Sequence, residues 1–288
     1  MTRRMELCGG GRNSEKSTMS QPIKIRSRIQ LKDFNPGFHE GLDKDKTHEK
    51  TLKYCQRIGE LQEMLHANAN QALLIVLQGM DTSGKDGAAR HVLQSVNPAG
   101  VETANFKAPS AEELAHDFLW RVAKVVPRYG NIGVFNRSHY EDVLVVRVLK
   151  LQPASVWQAR YAQINAFEKH LTSNGVVLLK FFLHISRQEQ AERLKARLDD
   201  PSKNWKFQPA DLEMRAYWSK FQKAYEDAIN LCSTPCSPWH IVPANHKWYR
   251  DYVIAKTVAH ALEYLKLRWP KPHEDLAKFR RQLAGESH

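Results

Sequence analysis

The segment Ala72-Leu-Leu-Ile-Val-Leu77 is apolar at every position and runs directly into Gly79-Met-Asp-Thr-Ser-Gly84-Lys85-Asp86-Gly87. A short apolar run with a β-branched centre and no alternation suits a strand buried on both faces, as inside a parallel sheet. The residues after it fit the pattern G-x-x-x-x-G-K, with a helix expected to begin near Gly84. In such a loop the glycines let the backbone curl so that its N–H groups point inward. The helix N-terminus adds partial positive charge, and the lysine reaches outer phosphates. An ordinary glycine-rich turn with an exposed lysine would share the pattern but not the strand and helix around it. Strand, loop and helix in this order leave few folds open and place an anion site beyond the carboxyl end of a core strand.

The loop departs from the common pattern at one point. The position after the lysine, usually Ser or Thr and a Mg²⁺ ligand, is Asp86, and a second carboxylate, Asp81, lies inside the loop. Carboxylates beside phosphates repel them unless a cation intervenes, so Asp81 is read as a magnesium ligand; bonding to loop amides is the alternative. Asp86 is the weaker metal candidate and could serve only as charge at the helix start.

The rest of the chain alternates between the two periodicities. Leu52, Cys55, Ile58, Leu61 and Leu65 fall on one face of a helix expected from 43 to 66. Further strands are expected at 101–107, 131–135, 176–184 and 239–242. Ser110 with Glu113 opens a helix carrying Leu114, Phe118, Val122 and Val125, and Ser186 with Glu189 opens another to about residue 198. Helices are also expected at 138–149, 154–173, 209–231 and 247–268, and a loop at 199–209. The reading is a single α/β domain over 21–270 with a mainly parallel central sheet, a disordered tail over 1–20 and a solvated C-terminal tail over 271–288.

Of 288 residues 42% are hydrophobic, enough for a sizeable core. The 43 basic and 31 acidic residues give +12, which points to a polyanionic partner such as nucleic acid, membrane surface, nucleotide or polyphosphate. No nucleic-acid motif accompanies the charge. No apolar run approaches the roughly 20 residues of a membrane span, and Met1–Lys16 lacks the apolar centre of a secretory leader. Four cysteines are too few for a disulfide scaffold, so a cytoplasmic protein is expected. Cys232, Cys236, His240 and His246 are spaced too closely for an ordinary zinc site.

A second chemistry-bearing segment is Phe135-Asn136-Arg137-Ser138-His139-Tyr140-Glu141-Asp142. In phosphate-loop enzymes the end of such a strand supplies an acidic Mg²⁺ helper. Here Asn136 stands first, followed by Arg137, a fork donor suited to phosphate. His139 is read as a structural histidine in preference to a phosphohistidine, since no partner carboxylate is visible. Arg193, Arg197, Lys203 and Lys206 cluster around the 199–209 loop; by composition alone this is a solvated basic face. Lys107, after the second strand, is at the expected carboxyl edge. Arg90 and Arg121 lie inside expected helices, where surface placement is an equal account.

Gly79–Gly87, Phe106-Lys-Ala-Pro109, Asn136–Val143 and Pro201-Ser-Lys-Asn-Trp-Lys-Phe207 together closely resemble the polyphosphate kinase 2 family, over about residues 25–270. The resemblance implies a thymidylate-kinase-like, three-layer α/β/α phosphate-loop kinase fold with a helical lid at about 187–215. It implies phosphoryl transfer between inorganic polyphosphate and nucleotides, with Mg²⁺ (Mn²⁺ as an alternative). Asp81, Lys85 and Arg137 match catalytic positions, with Asp81 the metal ligand. Gly79, Met80, Ser83, Gly84, Asp86, Gly87 and Lys107 match the phosphate-binding surroundings. Asn136 and Glu141 resemble the subgroup that accepts both AMP and ADP, with guanine nucleotides as further candidates. Arg193, Arg197, Lys203 and Lys206 match lid residues that close over phosphates, and Trp205 either packs the lid or stacks a base. A homo-oligomer, tetramer or dimer, is also implied. An ATP-dependent nucleoside monophosphate kinase is the competing reading.

Overall fold

The computed structural model describes residues 23–24, 28–272 and 276–285; the expected tail over 1–20 lies outside them. Six strands form one sheet: β1 (Ile23–Lys24), β2 (Ala72–Gln78), β3 (Val101–Asn105), β4 (Ile132–Asn136), β5 (Val176–His184) and β6 (Trp239–Pro243), in the order β1-β6-β5-β2-β4-β3. β2 to β6 are mutually parallel and β1 pairs antiparallel with β6. β2 is the hub. Every residue in it is buried, because it has parallel neighbours on both edges and helices over both faces. Ile75 and Leu77 face Ala88, Val92 and Ile254, whereas Leu74 and Val76 join Leu171 and Leu178 in the core of the other side.

One helical layer holds α1 (Lys44–Asn68), α2 (Lys85–Val92) and α10 (Lys247–Tyr264); the other holds α5 (Glu141–Val148), α6 (Ala154–Ser173) and α9 (Trp218–Cys232). α1 starts where the Asp43 side chain accepts from the Lys46 amide, 2.9 Å away, and stops at Ala69 in the left-handed region, φ 46°. The chain runs from β2 out to β3, back to β4 beside β2, and then across to β5 and β6 on the other side. The carboxyl ends of β2 and β4 therefore flank the crevice where such sheets bind ligands. Among the described residues, no helix is long and apolar enough to cross a membrane.

Four expectations change. The helix expected from 110 to 125 is two single turns, α3 (Ala111–Leu114) and α4 (Trp120–Ala123). The Ser110–Glu113 capping box forms, but Asp117 then turns its carboxylate onto the Leu119 amide at 2.9 Å, a local bond that competes with helix continuation. The helix expected over 209–231 is divided at Tyr217 into α8 (Pro209–Ala216) and α9. β1 was not foreseen; two residues carry no periodicity. The C-terminal tail, expected to be solvated, carries a helix that was not expected, α11 (Leu276–Gly285), exposed along its length.

Candidate active site

β2 ends at Gln78 and the chain turns through Gly79 at φ +152° and Gly84 at φ +94°. Both positions require glycine. A Cβ on Gly79 would meet the Leu183 carbonyl at 2.7 Å, and one on Gly84 would meet the Arg250 guanidinium at 2.0 Å. Thr82, at φ +65°, shares the tight curl. The Thr82 and Ser83 hydroxyls are buried without a protein partner. Met80 is buried and its carbonyl, like that of Gly79, accepts from Lys85 Nζ, at 3.3 and 2.9 Å. Lys85 thus turns its ammonium into the loop. Burial, with Arg137 nearby, lowers its pKa to about 8 despite the opposing influence of Asp81, Glu141 and Asp86.

Arg137 follows β4 in the left-handed region, φ 62°, and reaches across to Asp81 at 2.6 Å and Glu141 at 3.8 Å. Burial works against its charge, but the two carboxylates outweigh it and raise its pKa. Burial raises the pKa of Glu141, partly offset by Arg137 and Lys85. Asn136 donates to the Asp86 carboxylate, joining the ends of β4 and α2. Asp81, Lys85, Asp86, Asn136, Arg137 and Glu141 therefore meet in one crevice, as the sequence led us to expect. Gly87 packs under Arg250 at the foot of the loop. Lys107 is exposed, and its carbonyl accepts from Arg121 at 3.0 Å.

Three residues differ from expectation. Arg193, expected on a phosphate, directs its guanidinium to protein acceptors: Glu189, the carbonyls of Thr82 and Ser83, and those of Ala244 and Asn245. Its five N–H groups are all engaged, so in this conformation Arg193 staples α7 (Arg187–Asp199) to the back of the phosphate loop. Arg121, weighed as a surface residue, is buried against Phe106, Asp142 and Glu113. Arg90 is exposed. His139, thought to lack a carboxylate partner, is fully buried with Nε2 3.2 Å from Glu168.

The lid basic residues Arg197, Lys203 and Lys206 are held by partners within the lid, of which Asp211 also feels the charges of Asp81 and Arg137. Arg197 contacts Asp211 at 3.4 Å and the Lys206 carbonyl at 3.3 Å, Lys203 pairs with Asp200, and Lys206 lies 5.0 Å from the Trp205 ring. Two residues missed in the sequence brace the loop, Gln190 from the lid and Arg250 from α10. Gln190 donates to the Asp81 carbonyl at 3.1 Å and accepts from Arg215 of α8 at 2.8 Å. Arg250 presses on Gly84. Neither belongs to a recognisable motif; only the three-dimensional packing exposes them.

A sequence profile described as Polyphosphate kinase 2 matches residues 41–270. The chain is 47% identical over 252 residues to an AMP/ADP-polyphosphate phosphotransferase of Meiothermus ruber, covering 87% of this chain and 94% of that one. It is 41% identical over 286 residues to an ADP-polyphosphate phosphotransferase of Rhodopseudomonas palustris, covering 89% and 99%. The crystal structure of polyphosphate kinase 2 from Arthrobacter aurescens TC1 superposes with a TM-score of 0.89 at 42% identity, over 92% of this chain and 97% of that one.

Proposed function

This chain belongs to the polyphosphate kinase 2 family, and on that premise we propose that it moves phosphoryl groups between inorganic polyphosphate and AMP or ADP. One observation carries the reading: Lys85, Asp81, Arg137 and Glu141 converge at the carboxyl ends of β2 and β4, between a glycine-shaped anion loop and a basic lid. In this reading the terminal phosphates of the donor lie in the loop. Lys85 exchanges the Gly79 and Met80 carbonyls for phosphate oxygens, and the loop amides and the buried Thr82 and Ser83 hydroxyls supply further polar partners. The acceptor phosphate approaches from the side of Asn136, Arg137 and Glu141. Arg197 and Lys203 leave Asp211 and Asp200, and Lys206 leaves the Trp205 ring, to cover the polyphosphate chain as the lid closes.

Phosphoryl transfer needs little covalent chemistry from the protein; positioning and charge carry it. Arg137, set between two carboxylates, is placed to follow the negative charge that spreads over the transferred group. Asp81 is the residue that would hold Mg²⁺ or Mn²⁺. Among the described residues no three His, Cys, Asp or Glu side chains form a ready-made metal site. That fits Mg²⁺, which commonly takes one or two carboxylates and completes its shell with phosphate oxygens and water. When bound, the ion neutralises phosphate charge. The +12 charge of the chain suits a long polyanion and makes binding weaken as salt rises.

The test is transfer from long-chain polyphosphate to AMP and, separately, to ADP, with and without Mg²⁺ or Mn²⁺, with products resolved by chromatography. ADP and ATP formed from AMP, and only with metal, support the reading. Transfer from ATP but never from polyphosphate would establish a nucleoside monophosphate kinase instead.

A further inference from the structure

Lys180 sits in the middle of β5 with its side chain wholly buried, opposite an equally buried Glu168 from α6. Its ammonium donates to the Glu168 carboxylate at 2.6 Å, the Tyr140 hydroxyl at 2.9 Å and the Cys232 carbonyl at 2.7 Å, which uses its three protons. The carboxylate also accepts from the Tyr140 and Ser237 hydroxyls, both at 2.8 Å, and lies 3.2 Å from His139 Nε2. Burial opposes the charge on Glu168, but Lys180 and His139 hold its pKa down at about 2.

A buried ion pair is a poor source of stability, since apolar residues of the same volume often serve as well or better. What this pair does is join α6, β5, the end of α9 and the start of α5 at one point. Tyr140 and His139 belong to the turn after β4. Arg137 stands two residues before His139 in the left-handed region, a conformation that persists only where the surroundings over-determine it. Glu141 comes immediately after Tyr140. Between them, the Ser138 hydroxyl accepts from Gln78 at the end of β2, 3.1 Å away.

We propose that the Glu168–Lys180 pair is a positioning device: through Tyr140 and His139 it locks the 137–141 turn in the geometry that sets Arg137 between Asp81 and Glu141. This rests on the placing of Arg137 in the phosphoryl-transfer site argued above. A purely structural pair would change activity only in step with folding.

Tyr140→Phe removes the Tyr140 arm of the link, the bonds to Glu168 and Lys180, while keeping the ring that packs edge-on against Trp239 at 4.7 Å. The double variant E168L/K180M removes the charges together and avoids leaving one of them buried alone. Both are assayed beside Ile58→Ala, a cavity variant in α1 that lowers Tm without touching the turn, and Arg137→Ala. The expected result for Tyr140→Phe and the double variant is a kcat lower by about tenfold or more, with KM for polyphosphate within about twofold and Ile58→Ala retaining kcat at an equal or greater loss of Tm. Wild-type kcat in Tyr140→Phe and in the folded double variant overturns the positioning role while loss of activity in Arg137→Ala leaves the site reading intact. An active Arg137→Ala overturns the site reading, and the positioning role with it.

Discussion

Lys85 and Lys206 belong to one expected phosphate-binding set, yet they occupy opposite physical states. Lys85 is 8% exposed, held by two carbonyls of its own loop. Lys206 lies beside Trp205, which is 76% exposed, on a loop whose other cations are paired with Asp200 and Asp211. The floor of the site is preorganised by burial and by glycines that nothing else can replace. The lid holds Lys203 in an exposed pair, worth only about 0–1 kcal/mol, Arg197 in a half-buried pair with Asp211, and Lys206 against the Trp205 ring, none of them locked into the core. On the function proposed above, the difference would assign transition-state stabilisation to the floor and capture of the substrate chain to the lid.

Four measurements can break or sharpen that division. The largest effect is expected for Lys85→Ala, a fall in turnover of about 10²–10³-fold with Tm nearly unchanged or raised, since a buried ammonium is removed. Near-normal turnover in the folded variant would dissolve the contrast. Next comes Arg193→Ala, which frees α7 from the loop. Turnover is expected to fall by about tenfold or more, with a lower Tm, because Thr82, Ser83, Ala244 and Asn245 lose a shared donor; unchanged turnover would make the staple irrelevant to catalysis.

The third is a pH profile. Burial has lowered the pKa of Lys85 to about 8, so the free enzyme loses the loop charge above that pH, and kcat/KM for polyphosphate falls there about tenfold per unit. Bound phosphates favour the charged form, so the limb in kcat lies higher. Stability moves the other way. Between about 8 and the ordinary lysine range the unfolded chain keeps a proton that the folded chain has shed, so rising pH stabilises the fold across that window. The Lys85 contribution is isolated by comparing the wild-type profile with that of Lys85→Met. A kcat/KM profile with no descending limb near pH 8 would assign the charge requirement elsewhere. The smallest effect is expected for Arg197→Ala and Lys206→Ala, each raising KM for polyphosphate about threefold to tenfold, most at low salt. A larger effect on kcat than on KM would move the lid cations into the chemical step.

Legibility in the sequence followed the strength of local signals. β2 and β5 are legible because both faces are buried and nearly all of their residues are apolar. The phosphate loop followed because its glycines answer a backbone requirement. α3 and α4 were fused into one helix because the Asp117 side-chain bond to the Leu119 amide cannot be weighed against helical periodicity without coordinates. Arg193 was misplaced for a related reason: the carbonyls that engage it come from residues 82–83 and 244–245, far away along the chain. One clue went unused. Lys180 interrupts the apolar run Val176–His184, and a lysine inside a doubly buried strand demands a buried carboxylate. Its partner, Glu168, sits on a helix whose sequence reads as an ordinary amphipathic surface.

The break at Tyr217 has a mechanical consequence. α9 is anchored through Phe221, Ala224, Tyr225, Ala228 and Ile229, whereas α8 buries none of its residues. α8, at eight residues, is a rigid arm of roughly 12 Å, hinged at one end. A swing of about 25° at that hinge carries its tip, and the basic loop attached to it, through roughly 5 Å. If the lid closes as proposed, the torque would come from substrate charge and act on a few dihedral angles near Tyr217, leaving the core unstrained. How long the enzyme keeps hold of one polyphosphate chain between successive transfers is then a property of that hinge.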